Sequence, residues 1–308
     1  MKKAIVYSSI GGILEFYDFI IFAIFATAIS KTFFPSTNTV ADLLFTFSVF
    51  AAGYFARPIG GIIYGHFGDK YGRKTTFTYS VILMALSTLG IAFVPSYTTI
   101  GILAPILLTF FRLLQGASIG GEIPGAITFI SETTTKIRTF ACSIVFLGLV
   151  LGILLGQIVN IALAYFLSAE NMLAYGWRIA FILGGLLGMW GFYLRRKLVE
   201  TPFFQAMEKA KVKTPLMTIL KQYPKEVLTG WALLGLVSAG IMVLFLMMPT
   251  YKAIANLPAS IASTINTLVL LLISIASLFF GYIGDKVNKK TLLLIATVVT
   301  ICFSCSVF

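Results

Sequence analysis

The chain has 308 residues, of which 58% are hydrophobic and 11% charged. Soluble domains run at about half apolar and about a quarter charged, so the composition excludes a water-soluble enzyme or binding module and indicates a polytopic membrane protein. The formal charge of +12 is not the footprint of a nucleic-acid partner, because 18 of the 23 Lys and Arg fall in the N-terminal tail or in every second loop between apolar runs, the pattern of a topology signal.

A membrane-spanning helix needs about 20 predominantly apolar residues. Nine stretches meet that requirement: 4–30, 41–64, 75–95, 99–131, 139–167, 174–194, 227–250, 259–280 and 291–308. Lys2 and Lys3 precede the first as they would in a signal peptide, but Glu15 and Asp18 interrupt the run and no small-residue cleavage site follows, so it reads as a membrane helix. Basic residues gather at Lys2 and Lys3, at 70–74, at Lys136 and Arg138, at 195–225 and at 286–290, whereas the alternate loops carry Lys31 and Lys252. This asymmetry places the N-terminus on the cytoplasmic side of a cell inner membrane. Cys142, Cys302 and Cys305 lie in apolar stretches and behave as small hydrophobes, and His66 is the only histidine; no disulfide framework, metal site or cofactor is expected.

The turn Gly65-His66-Phe67-Gly68-Asp69-Lys70-Tyr71-Gly72-Arg73-Lys74 returns as Gly281-Tyr282-Ile283-Gly284-Asp285-Lys286-Val287-Asn288-Lys289-Lys290, offset by 216 residues. The copies follow the second and the eighth spans, corresponding positions of two repeated halves. The expected fold is therefore all-α: two six-helix bundles related by an axis along the membrane normal, with about nine helices present and the second bundle truncated. Residues 1–194 form the first bundle, 195–226 a basic cytoplasmic linker and 227–308 the incomplete second bundle. The linker reads as an orientation signal and tether, or as a surface for anionic lipid.

Charges within the hydrocarbon are expensive and mark function unless they reach an interface. Glu15 and Asp18 lie one turn apart on one face of the first helix; Arg112 and Gln115 have the same relation on the fourth, followed by Glu122. Asp18 lies 13 residues from Lys31 and Arg112 lies 12 from Ile100, which puts both about 18–20 Å deep and predicts that they meet as a pair. Gln157 and Asn160 on the fifth helix either line the same cavity or join helices by hydrogen bonds. Asp42, Glu132 and Arg178 lie near helix ends and read as interfacial, and Arg57, about 12 Å from Gly65 along its helix, reads as a structural side chain reaching the headgroups. Gly148, Gly152 and Gly156 form a smooth strip for close helix packing. In the repeated turn, Gly68 and Gly72 permit tight geometry, Asp69 can approach the positive end of a helix, and Lys70, Arg73 and Lys74 anchor the face, as a latch or as a topology anchor.

The 65–74 turn and Arg112-Leu113-Leu114-Gln115-Gly116, running on to Gly120-Gly121-Glu122, resemble the signature loop and fourth-helix motif of the major facilitator superfamily. Glu15-Phe16-Tyr17-Asp18-Phe19, Ala56-Arg57-Pro58-Ile59-Gly60-Gly61, Gly176-Trp177-Arg178 and Glu200-Thr201-Pro202-Phe203 narrow the resemblance to its metabolite:proton symporters, over the whole chain, with Asn288 and Lys289 departing from the signature in the second turn. The resemblance implies proton-coupled import of a small polar metabolite by alternating access. The substrate is a proline/betaine-type zwitterion or an organic acid such as α-ketoglutarate, citrate or shikimate. Residues 95–122 look most like the proline/betaine branch, while Arg112 suits a carboxylate of any of these. The inward polar turns assign proton coupling to Asp18, Glu15 and Arg112 and substrate binding to Arg112, Gln115, Gln157, Asn160 and Glu122, and the resemblance adds gating by Gly65, Asp69, Gly72, Arg73 and Asp285. The partners are the substrate, the proton and the bilayer, with no cofactor, and the unit is a monomer. No proline lies between Cys142 and Phe166, which fits symport rather than antiport. With three helices missing, the chain alone is expected not to sustain full transport. The competing reading is a transport-incompetent membrane sensor or remnant; an intramembrane enzyme finds no paired-histidine or nucleophile motif.

Overall fold

Where no water is available, every backbone N–H and C=O must find its partner within the chain, and long apolar runs answer this as helices. The computed structural model describes residues 2–36, 38–134, 136–200, 215–235 and 259–307, and their regular structure is helical: α1 Lys2–Ile24, α2 Ala26–Phe33, α3 Thr39–Tyr71, α4 Arg73–Phe93, α5 Tyr97–Ile100, α6 Leu103–Thr133, α7 Arg138–Phe166, α8 Ala169–Asn171, a π-helical turn Met172–Gly176, α9 Trp177–Arg195, α10 Pro215–Gln222, α11 over 224–235, α12 Ala259–Gly284 and α13 Lys289–Val307. Among the described residues six helices are long and apolar enough to cross a membrane, so this is a multi-pass membrane protein. The span expected at 227–250 lies largely outside the described residues, as do residues 201–214 of the linker.

The first expected span is two helices rather than one. The backbone bends at Phe25 (φ −94°, ψ 14°), yet the ladder runs through it, from Phe25 N–H to the Ile21 carbonyl (3.0 Å) and from Ile29 N–H to the Phe25 carbonyl (2.9 Å). The chain divides into two compact units, Met1–Ala210 with Ser277–Phe308, and Lys211–Ala276.

Within the first unit, small residues decide how closely helices approach. A Cβ on Gly116 of α6 would lie 2.0 Å from the Gly53 carbonyl oxygen of α3, and one on Gly60 would lie 1.8 Å from that of Ala117. The strip on α7 meets α1: a Cβ on Gly148 would sit 2.6 Å from the Ser9 carbonyl oxygen, and one on Gly152 2.3 Å from that of Ile13. Backbone-to-backbone packing of this kind is what small residues provide where lipid removes the hydrophobic drive between helices.

Helix ends are satisfied from a distance. α4 begins after Gly72 (φ 113°), which has no side chain to cap it, and the Lys74 N–H donates instead to both oxygens of Glu200 (3.1 and 3.2 Å). At the other end of α4, Arg178 donates to the Ala92 and Val94 carbonyls (2.5 and 2.8 Å). Arg178, expected as an interfacial charge, is therefore a C-terminal clamp, its cation set where the helix dipole favours one. α7 likewise follows an uncapped Ile137, and Asp285 accepts from the N–H groups of Thr139 (2.7 Å) and Phe140 (3.0 Å). Two acids distant in sequence thus close two helix N-termini whose own caps are missing.

Candidate functional site

α1 brings two carboxylates to the centre of the first unit, Glu15 and Asp18, both essentially without solvent exposure. Tyr17 fixes this stretch by donating its hydroxyl to the Ala180 carbonyl of α9 (2.8 Å). α4 and α6 supply the partners. Asp18 Oδ2 accepts from Thr88 Oγ1 at 2.5 Å and from Gln115 Nε2 at 3.2 Å, while Gln115 Nε2 also donates to Thr88 Oγ1 at 2.9 Å. Arg112 Nη1 donates to Gln115 Oε1, and its guanidinium lies over Phe22 (4.4 Å) and Phe50 (4.7 Å). Gly53 makes room for it, since a Cβ there would stand 3.3 Å from Arg112 Cγ.

The expected Asp18–Arg112 pair is thus corrected in detail. The two residues share a network but do not meet; Gln115 stands between them, accepting from the cation and donating to the carboxylate. The network is also incomplete, because Asp18 Oδ1, Arg112 Nε and both oxygens of Glu15 are buried without a hydrogen-bond partner. Buried polar groups are normally satisfied, and each exception asks for an explanation.

Glu122 does not join this network. Arg195 grips it with two donors, Nη1 to Oε2 at 2.8 Å and Nη2 to Oε1, and Ser80 donates to Oε2 at 2.8 Å. The guanidinium also donates to the Phe77 carbonyl (3.1 Å) and stacks on the Phe77 ring (3.7 Å). Gly11 leaves the space: a Cβ there would lie 1.6 Å from Arg195 Nη2. Arg195, counted in the sequence among the solvated basic residues of the linker, is 1% exposed. This bidentate pair binds α6 to α9 beside α1 and α4 and engages both Glu122 oxygens.

Gln157 is exposed and Asn160 half-buried on α7, and among the described residues neither hydrogen-bonds to Arg112 or Gln115. In the repeated turn, Arg73 bridges Asp69 (2.5 Å) and Glu132 (3.3 Å), and Gly72 supplies the positive φ between α3 and α4. Gly68 is helical within α3, and Gly65 has open space where a Cβ would go, so neither is required by backbone geometry. Asp285 stands at the start of α7 as described. Burial pulls its carboxyl upward, but the Phe140 and Thr139 donors, aided by Lys289, outweigh it and hold it below the ordinary aspartate value. Thr88 escaped sequence reasoning because a threonine in an apolar helix carries no signal, and Arg195 because it opens a run of basic residues. Among the described residues no group of His, Cys, Asp and Glu is arranged to hold a metal.

The Major Facilitator Superfamily model matches residues 8–308. A putative proline/betaine transporter of Staphylococcus aureus (strain COL) is 37% identical over 302 residues, covering 96% of this chain and 65% of the relative. The proline/betaine transporter of Escherichia coli (strain K12) is 32% identical over 314 residues, covering 97% and 62%. The chain thus spans somewhat less than two thirds of the length of these relatives. The structure of the proton:xylose symporter XylE bound to 6-bromo-6-deoxy-D-glucose superposes with a TM-score of 0.74 at 19% identity, covering 94% of this chain and 70% of that one, which speaks for the fold. Each of these is a transporter rather than an enzyme, and by the family match and the fold together this chain belongs to the major facilitator superfamily.

Proposed function

We propose that the chain carries the proton-coupling half of a symporter that imports a proline- or betaine-type zwitterion across the cell inner membrane, acting as a monomer with its N-terminus in the cytoplasm. The observation that carries this reading is the buried Arg112–Gln115–Asp18–Thr88 network with polar atoms left unsatisfied at its core. The charge of Asp18 is balanced by Arg112 only through Gln115. A substrate carboxylate that draws Arg112 away also releases Gln115, and a proton then becomes the remaining balance for Asp18, so that substrate and proton load together. Glu15 is the second carboxylate of the face. Gln157 and Asn160, without a hydrogen-bond partner among the described residues, are available to complete the substrate's contacts from α7.

Alternating access requires contacts that form in one state and break in the other. Asp285 at the amide donors of α7, and Asp69 with Arg73 and Glu132 at the repeated turn, serve as such latches on the cytoplasmic side. Gly72 supplies the turn that sets Arg73 beside Asp69. The kinship to proline/betaine transporters favours the zwitterion, and the organic-acid alternative has no such support. The test is uptake of labelled proline and glycine betaine, with and without an inward proton gradient, into proteoliposomes that hold this chain joined to the remaining length of a proline/betaine relative. Gradient-dependent accumulation supports the reading, and gradient-independent equilibration or none refutes it.

A further inference from the structure

Glu15 of α1 and Arg57 of α3 carry opposite charges, stand within electrostatic reach of each other, and do not pair. Glu15 is fully buried, and both of its oxygens lack a hydrogen-bond partner. Arg57 is half-buried and makes no hydrogen bond or ion pair among the described residues. Its guanidinium rests on aromatic rings instead, 4.2 Å from the Tyr54 centroid and 5.9 Å from that of Phe19. Around Glu15 the charged groups are Arg57 of α3, Glu122 of α6, Arg195 of α9 and Asp18 of α1, with Arg57 bearing on it most. Arg195 is already committed to Glu122.

The two charges border one aromatic surface. Phe19 lies one turn from Glu15 on α1, and Tyr54 one turn from Arg57 on α3. Phe50 closes the surface at 5.0 Å from Phe19 and 5.5 Å from Tyr54, and Phe16 extends it at 5.8 Å from Phe19. Arg112 also lies against Phe50, 4.7 Å from the ring, so two guanidinium groups border the same set of rings. An unmatched acceptor, an unmatched five-donor fork and a bank of ring faces are complementary to a single molecule that brings an anion and a cation together. Ring faces attract quaternary and secondary ammonium groups, and a guanidinium grips a carboxylate with two parallel hydrogen bonds.

We infer that Arg57, Glu15 and the Phe19–Phe50–Tyr54 surface form the subsite that selects zwitterions: Arg57 docks the substrate carboxylate, and Glu15 with the aromatic faces receives the ammonium centre. This rests on the reading above that the substrate is a zwitterion, and it adds the residues that select one. Arg112 is then the cation that senses the docked carboxylate from beside Phe50.

The experiment measures binding of labelled glycine betaine to the chain in nanodiscs, in competition with two fragments of its charge pattern. Choline keeps the ammonium without the carboxylate, and 3,3-dimethylbutanoate keeps the carboxylate and shape without the ammonium. The wild-type chain is expected to bind either fragment at least about tenfold more weakly than glycine betaine. Arg57→Gln weakens glycine betaine and 3,3-dimethylbutanoate by at least about tenfold and leaves choline unchanged; Glu15→Gln weakens glycine betaine and choline and leaves 3,3-dimethylbutanoate unchanged. A merely structural role for either residue lowers all three ligands alike and overturns the inference. So does equal binding of the three ligands by the wild-type chain, a result that needs no variant to fold. Glycine betaine bound without this crossed pattern overturns the subsite alone, whereas a wild-type chain that binds none of the three overturns the zwitterion reading with it.

Discussion

Replacing Glu122 by Gln isolates the Arg195 guanidinium in a site where it is 1% exposed, keeps the shape of the side chain, and removes the charge that two guanidinium donors and Ser80 all address. Breaking a buried ion pair by removing one partner costs about 3–5 kcal/mol, because the remaining charge stays desolvated. Removing both partners together, as in Glu122→Gln with Arg195→Met, leaves no uncompensated charge, and the loss falls to about 1–2 kcal/mol from the hydrogen bonds to Ser80 and the Phe77 carbonyl. The measurement is unfolding in mixed micelles by titration with dodecyl sulfate, followed by tryptophan fluorescence; Trp177 is fully buried in the same unit. The double variant should be more stable than Glu122→Gln alone. Singles that lose less than about 0.5 kcal/mol, the range of ordinary surface substitutions, would refute the claim that this pair holds the bundle.

Asp285→Asn removes a charged acceptor from the first turn of α7, and exchange of the Thr139 and Phe140 amides should quicken by about 2- to 5-fold, corresponding to roughly 0.5–1 kcal/mol. Because the folded carboxyl of Asp285 is held below its ordinary value of 3.8, its contribution is fully present above that value and is lost as pH falls through the lower folded one; protection of these two amides should therefore be flat from pH 5 to 8, read by hydrogen–deuterium exchange. Gly116→Ala places a Cβ 2.0 Å from the Gly53 carbonyl oxygen and should destabilise by about 1–3 kcal/mol through overpacking, measured in the same dodecyl sulfate titration, whereas Gly65→Ala, with open space around it, should be neutral there.

The sequence made the helices legible because lipid demands long apolar runs. Glu15, Asp18, Arg112 and Gln115 were legible as inward polar turns because spacing of three puts each pair on one helix face. Spacing along a helix does not say which neighbour each group meets. Depth alone matched Asp18 to Arg112, yet the three-residue step from Arg112 to Gln115 let the amide come between them. Arg195 was hidden by the basic residues beside it, although Gly11 and Glu122 are the gap and the charge that admit it. Arg57 was read as reaching for headgroups, whereas Tyr54, one turn back, and Phe19 on α1 hold it over their rings. The bend at Phe25 has no proline or glycine at its centre and left no mark in the sequence.

The central claim is that Asp18 carries the proton that drives accumulation. It is tested most directly by joining the wild-type chain and Asp18→Asn to the remaining length of a proline/betaine relative and comparing the two in proteoliposomes for gradient-driven uptake and, separately, for counterflow exchange of labelled proline or glycine betaine. The account predicts that Asp18→Asn abolishes uphill accumulation while counterflow persists, since the amide keeps the hydrogen bond from Thr88 but cannot exchange a proton; accumulation by Asp18→Asn at the wild-type level would contradict it.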